Sequence, residues 1–371
     1  MEELFEQERN ARTSGDIKKL EEIQQAILSN CHSEEEVIST LRLLINKRKQ
    51  EPECIKKLIR NVFDTHRDIG FLKNLLSKVV EGRIFLEEER VDIAEYVKNA
   101  LGNNIQESYA LVKDIPVETF TTISDRKRNM FLFEQFRLAL LLKKLDDAEL
   151  TSRKVRRSFL TNEEKIIFLN YSILLKIAQN RFLEASELFL QLNEVDESKK
   201  YVAMGSLYCL MSSCLAEDRN IIDEKKSLLK KFFEFKNNDE AMRVYLKTFS
   251  SDLIIDFGTI DEISASISKY AGDVSQTLLE TSIMEHNLFV ISRFFSKIKI
   301  EQIVKVMNIE EENLIGFISE MVNEKYCNVK INQPQRLVFF GDKHWNDSVD
   351  DVLDKIVLVS HLIHKQSISD S

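Results

Sequence analysis

His361 and His364 stand three residues apart, a spacing that sets both imidazoles on one face of a helix. Zinc needs three or four converging ligands, and neither a cysteine nor a third histidine accompanies them. A solvated pair is the plainer reading. Cys209 and Cys214, five apart in an apolar run, read as buried helix thiols. The alternative for these two is a redox-active pair; separately, a Cys–His nucleophile needs partners that meet only in space, and nothing local supplies one. The 61 acidic side chains offer carboxylate pairs everywhere, so no acid–base pair stands out. Glycine decides more. The two closest of the nine glycines are Gly70 and Gly82, so no loop with paired glycines can cradle a phosphate. Walker, Rossmann and kinase loops are excluded, as is the Gly-x-Ser-x-Gly elbow. The expectation is a protein that is no enzyme, with no catalytic, cofactor-binding or metal-ligating residue.

A net charge of −9 repels nucleic acid in general. The most basic stretches, Arg126-Lys127-Arg128 and Arg153-Lys154-Val155-Arg156-Arg157, read as solvated helix faces or protein contacts before they read as an RNA site. Five cysteines without a Cys-x-x-Cys suit a reducing compartment. Met1-Glu2-Glu3-Leu4-Phe5-Glu6 is acidic where a signal peptide is basic. The longest apolar run, Leu138–Leu142, falls far short of the roughly 20 residues that cross a bilayer. A cytoplasmic and nuclear protein with no nucleic-acid or membrane partner is expected.

Only nine Gly and three Pro interrupt 371 residues that are 43% hydrophobic, which favours long helices around a large core. Up to about residue 275 the apolar spacing predicts amphipathic helices joined by short turns. Ser33-Glu34-Glu35-Glu36 has the form of a capping box, with Glu36 returning to Ser33, and Pro52 suits a first helical turn. Turns at Gly102-Asn103-Asn104, Lys144-Leu145-Asp146, Gln179-Asn180-Arg181 and Asp218-Arg219-Asn220 recur at roughly 35–42 residues, as stacked helix pairs require. Small residues such as Ala148 and Ala185-Ser186 mark close helix approaches.

Residues 278–340 then read helix, helix, helix, strand, turn, strand, which is a winged helix. Met284, Leu288, Ile291 and Phe295 share the first helical face, and Ile298-Lys299-Ile300 is a short β-branched break. Ile300, Ile303, Val304 and Met307 mark a second helix; Leu314, Phe317, Ile318 and Met321 mark a third. Asn328-Val329-Lys330-Ile331 alternates as a strand, Asn332-Gln333-Pro334-Gln335 turns, and Leu337-Val338-Phe339-Phe340 returns. DNA docking would use the third helix, but Glu310-Glu311-Glu312 at its start opposes phosphate. Both faces of the last strand are apolar, and an uncharged edge of that kind needs a cover. Ile331, Leu337, Val338, Phe339 and Phe340 are therefore candidate partner contacts, the alternative being a cover from the chain's own C-terminal helix. That helix, Trp345–Lys365, carries Val349, Val352, Ile356, Val359 and Ile363 at steps of three and four, a seam for other helices.

The order of these elements resembles the winged-helix half of a PCI module, the scaffolding domain shared by the proteasome lid, the signalosome and translation initiation factor three. Met284-Glu285-His286-Asn287 through Ile309 is similar to members in the proteasome lid. Glu81-Gly82-Arg83-Ile84-Phe85-Leu86-Glu87-Glu88-Glu89-Arg90 resembles the lid pattern Glu-Gly-Lys-Ile-Tyr-x-Glu-x-Glu-Arg. The resemblance implies a mostly α fold: a TPR-like helical-repeat solenoid (1–275), a PCI winged helix (276–342) and a C-terminal bundle helix (343–371). It implies a non-catalytic scaffold of the 26S proteasome regulatory-particle lid, acting in ubiquitin-dependent degradation. Implied partners are other PCI-domain lid subunits, the lid metalloprotease heterodimer and the proteasome ATPase and core particle. The metalloprotease signature includes His-x-His, which this sequence lacks. The alternatives are the signalosome counterpart and a helical-repeat RNA-binding factor.

Overall fold

A computed structural model of the chain describes residues 2–102, 104–196, 199–235, 240–251, 253–256 and 276–341. The expectations for residues 343–371, including Val349, Val352, Ile356, Val359, Ile363, His361 and His364, lie outside the described residues, as do those for 257–275. The chain divides into two compact units, 1–171 and 172–371.

The first unit is helical throughout. It contains α1 (Glu2–Ser14), α2 (Ile17–Ser29), α3 (Glu34–Ile45), α4 (Pro52–Thr65), α5 (Ile69–Leu75), α6 (Glu87–Leu101), α7 (Ile105–Lys113), α8 (Asp125–Leu141) and α9 (Leu145–Lys154). Helix α10 (Asn162–Ala178) runs across the division between the units. Successive helices pack as pairs, α1 on α2, α6 on α7 and α8 on α9, as helical repeats do. The Ser33 hydroxyl caps α3 by accepting from the Glu36 N–H (3.2 Å). Glu36 reaches one residue further than a capping box requires, its carboxylate accepting from the His32 N–H at 2.8 Å. Pro52 opens α4 as expected. Three turns fall where the spacing puts them, holding positive-φ Gly102, Asn180 and Asp218, while the fourth comes slightly earlier, around positive-φ Lys143, because Leu145 and Asp146 already belong to α9. Three of the four accept left-handed backbone without glycine, which is why the repeat is visible in spacing and not in a glycine pattern.

The second unit continues with α11 (Phe182–Val195), α12 (Lys199–Met211), α13 (Cys214–Glu217), α14 (Ile222–Glu234) and α15 (Glu240–Ser250). Helices α11 and α12 approach closely around Gly205. The Ser186 hydroxyl donates to the Gly205 carbonyl (2.8 Å). A Cβ at Gly205 would lie 2.7 Å from Phe232 Cζ and 2.9 Å from Phe189 Cβ. Leu207, Leu210, Leu228, Phe232 and Leu246 fill the core beside it.

The winged helix follows as α16 (Gln276–Phe294), β1 (Lys297–Lys299), α17 (Ile300–Met307), α18 (Glu311–Asn323), β2 (Val329–Asn332) and β3 (Leu337–Phe340). Asn308, left-handed at φ 53°, ends α17. Ile303, Met307, Leu314, Phe317, Ile318 and Met321 join Leu288 and Ile291 in one core, but Phe295 lies beyond the end of α16 and is exposed. The Ile298 segment is a strand, not merely a break. Both β1 and β2 pair antiparallel with β3, in the order β1-β3-β2.

Candidate functional site

Strand alternation sorts the sheet into two faces. Ile298, Val329, Val338 and Phe340 are buried against the helices, with Ile331 half-buried beside them. Lys297 and Lys330 flank Phe339 on the other face, and Lys299 and Asn332 flank Leu337. This corrects the expected edge in two ways. Leu337–Phe340 is the central strand, because Lys297–Lys299 takes up its second row of backbone groups. Val338 and Phe340 belong to the domain's own core, at 0% and 8% exposure, so of that strand only Leu337 and Phe339 stay half-exposed.

Among the described residues the outer edges of the sheet belong to β1 and β2. On one side of β3 the Ile300 N–H donates to the Arg336 carbonyl (3.0 Å) and the Phe340 N–H to the Ser296 carbonyl (2.9 Å). With this phase, an antiparallel ladder turns the backbone N–H and C=O of Lys297 and Lys299 outward. On the other side the Gly341 N–H donates to the Asn328 carbonyl (3.0 Å), which turns those of Val329 and Ile331 outward on β2.

A buried polar clasp holds this domain to the helices before it. The Cys214 N–H donates to the Glu285 carboxylate (2.7 Å). The Lys225 ammonium donates to the Ser212 carbonyl (2.5 Å) and the Ser282 hydroxyl (2.7 Å), and Ser282 donates to the Leu210 carbonyl (2.6 Å). The Asn287 side chain exchanges two 2.8 Å hydrogen bonds with the backbone of Ile255, and His286 Nε2 lies 2.9 Å from the Leu253 carbonyl. Burial raises the Glu285 carboxyl and lowers the Lys225 ammonium, each disfavouring charge. Burial pushes the Cys209 and Cys214 thiols up to about 12, so both are inert at neutral pH. The Met284–Asn287 motif is thus an anchor: Glu285 takes the backbone of Cys214, which the sequence shows only as a buried thiol, and Lys225, bound to Ser282 one turn before, gave no signal of its own.

The acidic block at Glu81–Arg90 is structural in the same sense. The Glu87 carboxylate accepts from the Thr121 N–H (2.8 Å), the Thr122 N–H (3.0 Å) and the Thr122 hydroxyl (2.9 Å), while Glu89 accepts from Arg60 Nε (2.9 Å). The basic stretches are engaged with carboxylates: Arg126 with Glu164, Lys127 with Asp92, Arg153 with Glu149, Lys154 with Glu118 and Arg156 with Asp125. Such pairing leaves little for a phosphate backbone. Among the described residues no group of three or more His, Cys, Asp or Glu is placed to hold a metal ion, and no helix is long and apolar enough to cross a membrane.

Sequence reading alone missed Lys297 and Lys299. The alternation Lys-Ile-Lys, the same signal that marked Asn328–Ile331, was there to find them.

Comparison with known proteins agrees with this anatomy. Residues 1–200 match the family described as PSMD12/CSN4, N-terminal, and residues 246–342 match the PCI domain. The chain is 24% identical to 26S proteasome regulatory subunit RPN5 of Saccharomyces cerevisiae, across 99% of this chain and 91% of that protein. It is 22% identical to 26S proteasome non-ATPase regulatory subunit 12 of Dictyostelium discoideum, across 99% and 89%. Homolog B of that subunit in Arabidopsis thaliana is also 22% identical, across 99% and 96%.

Proposed function

The chain belongs to the PSMD12/CSN4 family, and from that membership we propose that it is a scaffold subunit of the 26S proteasome regulatory-particle lid, acting in ubiquitin-dependent degradation. One observation carries the reading: similarity to the proteasome relatives runs through helical repeats and winged helix alike, over 99% of the chain. The relatives' names describe regulatory, non-ATPase subunits, which supports a non-catalytic role for this chain.

In this reading residues 1–275 are the helical arm, 276–342 the PCI winged helix and 343–371 the segment that joins other subunits through Val349, Val352, Ile356, Val359 and Ile363. The work is done by binding. The open edges of β1 and β2 extend the sheets of neighbouring PCI subunits, so the wing contact proposed from Leu337–Phe340 moves to the strands on either side, with Ile331 kept on β2. The helical arm reaches the metalloprotease heterodimer and the ATPase and core particle. The protein works in cytoplasm and nucleus.

The family name pairs PSMD12 with CSN4, which supports a signalosome counterpart as second reading. Native mass spectrometry of the tagged full-length chain purified from its own cells separates the two. Proteasome ATPase and core-particle subunits among the partners support the lid; signalosome subunits alone, or no partner, overturn it. An RNA-binding factor would instead retain labelled RNA at physiological salt.

A further inference from the structure

The two open edges differ in chemistry. On β1, Lys297 and Lys299 expose their backbone groups to a newcomer and raise both ammonium groups on the solvent face of the sheet, where Lys330 joins them across Phe339. Phe294 and Phe295, 65% and 46% exposed, stand just before this strand. Nearby carboxylates are committed elsewhere, since Glu301 and Glu311 both pair with Arg336. Among the described residues the three lysines have no ion-pair partner, in a chain whose net charge is −9. On β2 the exposed backbone belongs to Val329 and Ile331, and Lys330 is that strand's one cation.

Lys297 and Lys299 are alternate residues, so their side chains repeat at about 6.6 Å along the strand, the period of one face of any strand laid beside them. We infer that the β1 edge is selective and takes an extended segment of a neighbouring protein with Asp or Glu at two alternate positions and an apolar residue against Phe294 or Phe295. The inference rests on the scaffold reading and adds which edge discriminates and what it discriminates for. Cross-strand pairs of opposite charge stabilise a sheet, and like charges in those positions oppose it, so two lysines reject a basic edge as well as favour an acidic one. Lysines beside phenylalanines are also the chemistry of single-stranded RNA binding. That use would leave the outward N–H and C=O groups of β1 idle and would bring a polyanion to a negative chain.

The test is a photo-crosslink in cells. The tagged full-length chain carrying Phe294→p-benzoylphenylalanine is irradiated, purified, and its crosslinked peptide sequenced by mass spectrometry. The expected product is a segment of a co-recovered proteasome subunit with alternate acidic residues. K297E/K299E, checked for unchanged melting temperature, should cut its yield by about ten-fold. Lysines in place of the partner's two acids should restore the yield in that variant. A crosslinked segment without alternate acids, a crosslink to RNA, or a yield indifferent to K297E/K299E overturns the inference. Proteasome subunits recovered without any crosslink overturn it alone; none recovered at all overturns the scaffold reading and the inference with it.

Discussion

The Glu285 carboxylate accepts a 2.7 Å hydrogen bond from the backbone N–H of Cys214, a residue 71 positions earlier. That single bond joins the first helix of the winged helix to the start of α13, and both partners are buried.

Replacing Glu285 with Ala should therefore cost about 2–4 kcal/mol, because it leaves a buried N–H unpaired and removes the carboxylate near Lys225. Glu285→Gln keeps an acceptor and should lose less. Chemical denaturation of the two variants checks the order.

The same carboxyl makes a pH prediction. Burial raises its pKa above 4.5, so the folded chain keeps this proton at pH values where the unfolded chain has released it. Its contribution to stability is full below the ordinary carboxylate value and is lost as pH rises through the raised one. Glu285→Gln does not titrate, so its stability relative to wild type should improve as pH climbs through that window. Parallel denaturation curves at several pH values test this; a constant difference would contradict it.

Gly205→Ala should destabilise the second unit by about 1–3 kcal/mol, because the new methyl meets Phe232 and Phe189 in a core with no room to yield. A lowered denaturation midpoint is expected. Adding Phe232→Leu to the Gly205→Ala variant should recover part of the loss by making space.

Val338→Asp and Phe339→Asp alter adjacent residues of β3 and should behave oppositely. The first places a carboxylate in the winged-helix core and should cost more than about 3 kcal/mol; the second lands between Lys297 and Lys330 and should cost about 1 kcal/mol or less. Thermal unfolding of each variant distinguishes them.

Thiol reagent at pH 8 should modify half-buried Cys31 first and leave Cys209 and Cys214 untouched until denaturant is added. Rapid labelling of the latter pair in the folded chain would contradict their burial.

The helical repeats were legible because apolar spacing and turn position are local properties, and Asn180 and Asp218 sit in turns that the spacing places. The winged helix was legible for the same reason, with Asn308 ending one helix and Glu311 near the start of the next. The edge was not. Whether Leu337–Phe340 lies inside or outside a sheet depends on a three-residue strand 38 positions earlier in register, Lys299 against Leu337, and no local pattern reports such a pairing. Nor did sequence show that Lys225 serves Ser282, 57 residues away. Long-range partners of buried polar groups are fixed by topology, and spacing along the chain is blind to them.

Placing β3 at the centre gives the domain a valence of two. Among the described residues no strand lies beside either flank of the small sheet, so lateral growth has a starting point in either direction. Blunting one flank would shorten a row of such domains on that side and leave both the fold and the opposite junction intact.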